Sequence, residues 1–550
     1  MSLLPNAIQC PDVIPKVPRR LHFNYWQMIV VAGLAISFAS TFFGQSASKI
    51  SKPVVSNRPI PASERLALMR IARDTWHFYA ADVDPNTHLP MDNLGANGEG
   101  KYTSASNIGV YMWAVVAAND LGLISRSEAH SLLQATLTEV QSLKRFDGFL
   151  YQWYDTTNGD VIRNPGDIDC STETTPATDN CFFLSAVDNG WYASGLIVVR
   201  QAMPELAPLV NSLIGEMDFS IFYDNRAETE CNVNPAIPGN QPTGQMYGGY
   251  YAGIGPAGYH NGALYSDPRI AMYIGMGLGQ MPGNVWWRSW RTLPPPAPYD
   301  NCAATDPDFS WQGQWPVAGS WQDYTDPQSQ QVFHVWEGHY TYPGATLSFV
   351  PTWAGGMFEA LMANEVVPET SWGTKSFGLA DLRTAQVQMK YATEQLHYPV
   401  WGLSPSSTAD DTGNYNSYGA EGLVFPYYGG GATASNPNDG LSQCHGCATE
   451  DVVTPHASFL ALDVLPSQAF ANIQALRSQY PGIYGQYGFY DALNPVTGSV
   501  GHRYLVLDQS MIMASLDNAL DNRAMQRHFA SDPVSMAAQT YLSLETLSIQ

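Results

Sequence analysis

Residues 262–282, GALYSDPRIAMYIGMGLGQMP, are where the reading of the fold begins. Ser266-Asp267-Pro268 ends a loop, and an apolar helix pattern follows at once. Asp is a favoured residue just before a helix, Pro is favoured in its first turn, and a negative charge suits the helix N-terminus. A helix is therefore predicted over 268–280. Asp267 itself has two readings, a cap for that helix or an acid aimed at a substrate. Upstream lies a Gly/Tyr loop, GGYYAGIGPAGYHNGALY, that contains His260, and downstream comes VWWRSW. An acid held at a loop–helix junction among aromatics that exclude water has its pKa raised, as a general acid requires.

Comparable helical stretches run along the chain: 63–81, 105–122, 126–144, 186–203, 207–218, 353–366, 380–397, 453–463, 466–479, 508–521 and 533–547. In the first, Ser63 is expected to cap, with Leu66, Met69, Ile71 and Trp76 near one broad face. Strand-like runs are few, QVFHVWEGHYTY (331–342) being one. Helices in sequential pairs joined by long Gly/Pro/Tyr loops (219–266, 283–335, 403–452) fit an all-α (α/α)6 toroid, an inner ring of helices within an outer one. The competing architecture is a helical domain with β modules at 219–350. Loops of this length carry a binding surface rather than a simple connection.

Composition points to the kind of ligand. Only 14% of the 550 residues are charged and 12% are aromatic, where an average soluble chain is about 25% charged. Aromatic faces and neutral amides suit a hydroxyl-rich ligand. The net charge of −23 argues against a nucleic-acid partner, whose phosphates need clustered Lys and Arg. No motif calls for a metal or cofactor: CHGC at 444–447 lacks a second close Cys/His pair.

Met28 to Gly44, MIVVAGLAISFASTFFG, carries no charge and follows Lys16, Arg19, Arg20, Tyr25 and Trp26. A basic flank, an aromatic pair and an apolar run read as a signal anchor or signal peptide, with the uncleaved anchor favoured. The expected organisation is a cytoplasmic tail at 1–24, a span at 25–44, a linker at 45–62 and an extracytoplasmic catalytic domain at 63–550, membrane-anchored, or secreted if the segment is cleaved. Cys170, Cys181, Cys231, Cys302, Cys444 and Cys447 then fall in an oxidising compartment, consistent with disulfides Cys170–Cys181, Cys444–Cys447 and Cys231–Cys302. A monomer is expected.

Further candidate acids lie at helix starts or within helices. Asp188 precedes Trp191 and Tyr192. Glu359 sits in a short apolar helix, where a carboxylate is paired or functional. Asp508 opens another apolar helix, as does His456, whose plain reading is a satisfied structural imidazole. In a toroid such helix ends converge on one cavity, and glycoside hydrolysis needs two carboxylates there.

The motifs TSASNIGVYMWAVVAANDLGLIS, GFLYQWYDTTNG, FLSAVDNGWYASGLIVVRQ, SDPRIAMYIGMGLGQMP, GGMFEALM, VTPHASFLAL, YGFYDALNP and YLVLDQSMIM occur in this order. Together they resemble the glycoamylase-like family, which includes endo-β-1,2-glucanases and the cyclisation domain of cyclic β-1,2-glucan synthases. The resemblance runs from about residue 63 to 547. It implies an (α/α)6 barrel and hydrolysis of a β-glucan, with β-1,2-glucan the first choice. It places the catalytic acid at Asp267, the general base at Asp508, a substrate-contacting acid at Asp188 and an acidic position at Glu359. In the glucanases the base is thought to act through a substrate hydroxyl, which allows a wide separation from the acid. The acid position is usually Glu in relatives, and Asp retracts the carboxyl by roughly 1.5 Å, which leaves Glu359 as the other candidate acid. Sugar contacts are expected from Asp188, Trp191, Tyr192, His260, Trp286, Trp353, Trp401 and His456. Two other functions remain open: a carbohydrate-binding or envelope protein without turnover, and a glucan transglycosylase.

Overall fold

The computed structural model describes residues 60–166, 169–226, 244–292, 318–342, 344–352, 355–416, 418–420 and 451–550. Its α-helices are α1 (Ala62–Asp82), α2 (Ala105–Asp120), α3 (Arg126–Ser142), α4 (Ala186–Ala202), α5 (Ala207–Gly215), α6 (Arg269–Gly277), α7 (Asn284–Arg288), α8 (Met357–Leu361), α9 (Glu369–Trp372), α10 (Phe377–Lys390), α11 (His456–Leu460), α12 (Pro466–Gln479), α13 (Val506–Leu520), α14 (Ala524–Ala530) and α15 (Ser535–Leu544).

Two burial patterns separate these helices. Every residue of α2 from Ala105 to Ala118 is buried, and α11 is buried throughout. In α6 burial is continuous from Arg269 to Met276. Most of α4, α8 and α13 is buried as well. A helix that is apolar on all sides must be enclosed by other helices. By contrast α3 buries Ala129, Leu133, Thr136, Leu137 and Val140, one stripe at helical spacing. α1, α5, α10, α12 and α15 show the same single stripe. The first group forms the inner ring: α2 packs on α4, α4 on α6, α8 on α11, α11 on α13, and α13 returns to α2. The second group covers it, with α1 on α13, α5 on α4, α10 on α8, α12 on α11 and α15 on α6. The helical toroid expected from the sequence is the architecture found.

Two inner helices approach closely because neither has a side chain at the crossing. A Cβ on Gly109 of α2 would collide with the Trp191 carbonyl, and one on Gly195 of α4 would collide with the Gly109 carbonyl. The first turn of α6 is held by a buried ion pair. Arg269 sends Nε and Nη2 to the two carboxylate oxygens of Glu369, both at 2.8 Å, and Nη1 to the Ser266 carbonyl at 2.9 Å.

Several expectations need correction. α1 starts at Ala62 with no side-chain cap, so Ser63 lies inside it. Leu66 is exposed, and the buried face is Leu68, Ile71, Ala72, Thr75, Phe78 and Tyr79. The described part of the presumed 283–335 loop holds α7 and a strand, Ala318–Thr325, which pairs antiparallel with Val332–Thr341. Ser348–Phe349 adds a third strand. The alternation Val332 out, Phe333 in, His334 out, Val335 in is the two-residue period of a half-buried strand. This sheet is an insertion on a helical frame rather than a separate β module. Cys170 and Cys181 form the expected disulfide. Cys231, Cys302, Cys444 and Cys447 lie outside the described residues, as does the 28–44 run. Among the described residues no helix is long and apolar enough to cross a membrane.

Candidate active site

The six inner helices begin at one end of the ring, and the contacts between their starts show it. The Asp92 backbone carbonyl accepts from Val506 N at the start of α13, and its Oδ1 accepts from Asn107 Nδ2 in the first turn of α2, at 2.9 Å in each case. His456, first residue of α11, places Nδ1 3.1 Å from Asp508 Oδ2 in the first turn of α13. Ser404 Oγ joins α11 to α8, lying 3.0 Å from His456 Nε2 and accepting from Phe358 N at 2.9 Å. Arg269 at the start of α6 donates Nη1 to the Glu359 carbonyl of α8 at 3.2 Å. Asp267, just before α6, faces the charge of Asp188 in the first turn of α4. The Gly109 crossing closes the circle between α4 and α2.

Asp267 does not cap its helix. Pro268 occupies the N-cap position and no side chain caps α6; only the Asp267 backbone carbonyl accepts, from Ile270 N. The carboxyl receives the Ser266 hydroxyl at 3.1 Å. Burial pushes its pKa up to about 6, and the like charge of Asp188 adds to the rise, against the opposing Ser266 hydrogen bond and Arg269 charge. The side chain keeps part of its surface open to solvent while protein surrounds it on other sides, as in the wall of a cleft. Asp188 is likewise half-buried, and Gln152 Nε2 donates to its Oδ2 at 3.3 Å.

Asp508 is 2% exposed, and burial raises its pKa to about 7. Asp491 stands beside it, also buried and raised well above the ordinary carboxylate range by burial and then by the Asp508 charge. Burial lowers His456 to about 4, so the imidazole is neutral at pH 7. His456, Asp491 and Asp508 offer ligand-type atoms within 4.8 Å of one another. Both imidazole nitrogens, however, are taken by hydroxyls, Nδ1 by Thr454 at 2.9 Å and Nε2 by Ser404. One hydroxyl must occupy the ring's lone pair, the electrons a metal would need. The cluster is therefore an acid pair with a neutral histidine beside it.

Tyr415 connects these groups. Its strand, Tyr415–Asn416, pairs with Ser406–Ser407, and Ser407 N donates to Asp491 Oδ2 at 2.5 Å. The side chain is 48% exposed. Yet its hydroxyl is pushed well up by burial and by the charges of Asp508, Asp491, Glu359 and Asp92. The ring is thus partly open to solvent and lies within electrostatic reach of these four carboxylates.

The sequence-based candidates divide. Asp188, Asp267, Glu359, His456 and Asp508 lie at the starts of inner helices at this end. The expected sugar-stacking residues mostly do not. Trp286 is fully buried, donates Nε1–H to Glu545 Oε2 at 2.7 Å and packs against Tyr273, Phe377 and Tyr541. Trp191 packs edge-on against Trp113 in the core, and Tyr192 is buried beside it. His260 is buried, stacked on Tyr247, with Nε2 3.0 Å from Asp224. Trp401 lines a different cavity, of about 760 Å³, between α10 and α12. Trp353 lies outside the described residues. Asp92, Asp491 and Tyr415 were missed. Asp491 sits within YGFYDALNP, a motif noted as a whole, whereas Asp92 stands in a loop and Tyr415 in a strand of two residues, too short for a periodic signal.

Known proteins match this chain in parts and in fold. Residues 318–533 match a family model described as "Putative glucoamylase", and residues 70–233 match one described as "Protein of unknown function". The cyclic beta-(1,2)-glucan synthase NdvB of Rhizobium meliloti (strain 1021) is 29% identical over 170 residues, which are 30% of this chain and 5% of that protein. The chain thus corresponds to a small part of that relative. A beta-1,2-glucanase from Parabacteroides distasonis superposes with a TM-score of 0.61 at 14% identity, over 88% of this chain and 60% of that one. An endo-beta-1,2-glucanase from Chitinophaga pinensis gives 0.59 at 14% identity, over 87% of this chain and 98% of that one. At such identities the structural likeness is one of fold. The resemblance to the glycoamylase-like family read from the motifs is borne out.

Proposed function

Starting from its glycoamylase-like sequence and toroidal fold, we propose that this chain is a glycoside hydrolase cleaving within a β-glucan, with β-1,2-glucan the first substrate to test. One observation carries the reading: acids stand at the starts of separate inner helices, Asp508 and Glu359 near the half-exposed Tyr415, and Asp267 near Asp188. The glucanases that share the fold, and the glucan synthase that shares part of the sequence, support the choice of polymer.

In the proposed reaction Asp267 gives its proton to the glycosidic oxygen as the bond from that oxygen to the anomeric carbon breaks. Water adds to that carbon, and the proton it loses passes to Asp508, directly or through a substrate hydroxyl. Asp267 ends as a carboxylate and Asp508 as an acid, and proton exchange with solvent resets both. A group with a pKa near 6 in a water-poor site suits the acid, and one near 7 suits a base at neutral pH. Glu359, with its shared position at the ring mouth, is the alternative acid. We further propose that residues 28–44 anchor the protein and that the ring lies outside the cytoplasm, on the strength of the basic flank before that run.

The purified protein should release reducing ends from β-1,2-glucan, and Asp508→Asn should remove at least 99% of that activity. No release from a broad panel of glucans, arabinans and mannans would defeat the proposal. The match to a cyclic glucan synthase favours a second reading, transglycosylation. Ring or lengthened products without new reducing ends would select it.

A further inference from the structure

Asp491 brings a carboxyl oxygen within 4.8 Å of the Asp508 carboxyl and the His456 ring, and the reaction above gives it no task. Its Oδ2 is filled by the Ser407 N–H at 2.5 Å. Its Oδ1 receives no N–H or hydroxyl donor among the described residues, and neither oxygen of Asp508 receives an aligned one. His456 Nδ1 comes within 3.1 Å of Asp508 Oδ2, but the neutral ring is already engaged by Thr454 and Ser404. A buried carboxylate with no donor is expensive. The other groups facing Asp508 worsen that cost: Asp92 from the loop before α2 carries a like charge, and Tyr415 from the 406–416 hairpin lies near without a hydrogen bond to it. Among the described residues the remaining source of a donor is the Asp491 carboxyl in its acid form, with the proton on Oδ1.

We propose that Asp491 is a positioning residue, whose Oδ1–H hydrogen-bonds to the Asp508 carboxylate, holding it ionised and oriented for its work as base. The Ser407 N–H favours the proton on Oδ1, because the unprotonated, carbonyl-like oxygen is the better acceptor and Oδ2 is the one that the amide contacts. No proton leaves Asp491 during the reaction. This role rests on the reading of Asp508 as base, and the test keeps the two apart.

Asp491→Ala removes the donor, while Asp491→Asn replaces it with an amide N–H of similar reach. Two readouts are compared in the full-length protein. The first is kcat/KM on β-1,2-glucan from pH 4.5 to 9. The second is infrared titration of the protonated carboxyl stretch, with Asp508→Asn assigning the Asp508 band, which needs no activity. Asp491→Ala should lift the Asp508 midpoint by about one pH unit and lower kcat/KM below pH 6 about tenfold, as the ionised fraction falls. Asp491→Asn should restore both. An unmoved midpoint in Asp491→Ala, or an asparagine variant that behaves like alanine, overturns the proposal. A wild type inactive on every glucan, with the infrared shift present, removes the hydrolase reading and supports the hydrogen bond.

Discussion

Asp508→Asn should make the protein more stable at neutral pH while it destroys activity. The folded chain holds this carboxyl at a pKa of about 7 against the ordinary 3.8, chiefly through burial. That rise corresponds to about 4 kcal/mol of preference for the neutral form. Below pH 3.8 the group is protonated both folded and unfolded, and it costs nothing. As pH climbs the unfolded chain ionises first, so the folded state loses ground until about pH 7, above which the cost is constant. Asparagine cannot ionise and escapes the cost. Allowing for its own imperfectly bonded amide, the variant should gain about 2–4 kcal/mol at pH 8, half that near pH 5.5 and almost none near pH 4. Urea unfolding of both proteins at these three pH values measures the difference directly. A variant less stable than wild type at pH 8, or a difference independent of pH, would refute the claim that burial raises the Asp508 pKa in the folded protein.

Other outcomes follow from the same geometry. The pH profile of kcat/KM should be narrow, with its maximum between about 6 and about 7, because acid and base titrate at those values; a maximum below pH 5 would contradict the assignment of both residues. Gly109→Ala should destabilise by about 1–3 kcal/mol in thermal or urea unfolding, since its methyl meets the Trp191 carbonyl. Arg269→Met leaves Glu369 buried without its bidentate partner and should cost about 3–5 kcal/mol, with Glu369→Gln in the same chain recovering part of it. Trp286→Phe should lower stability by about 1.5–3 kcal/mol through the lost bond to Glu545, with KM unchanged, because the ring lies in the core and reaches no sugar.

What the chain determined locally is the set of helices. Stretches such as ASNIGVYMWAVVAA are largely apolar and read as helices from the sequence, and their pairing along the chain pointed to a toroid; which helices form the inner ring emerged from their burial in the fold. Acids placed at the starts of apolar stretches, Asp188, Asp267, Glu359 and Asp508, were legible for the same reason: a charge beside a run that must be buried stands out. Tertiary structure decided which of the remaining side chains face the site. An indole signals hydrophobicity but not direction, so Trp286 and Trp191 read like sugar platforms and turned out to be core. Asp491 and Asp92 come from loops and Tyr415 from a two-residue strand, where no period marks a face. Their proximity to Asp508 arises only when the ring closes, through Ser407 N–H to Asp491 and Val506 N–H to Asp92. Periodicity along a chain reports what is buried. Which carboxyls lie side by side depends on distances of a few ångströms between segments far apart in sequence, and closure of the ring sets those distances.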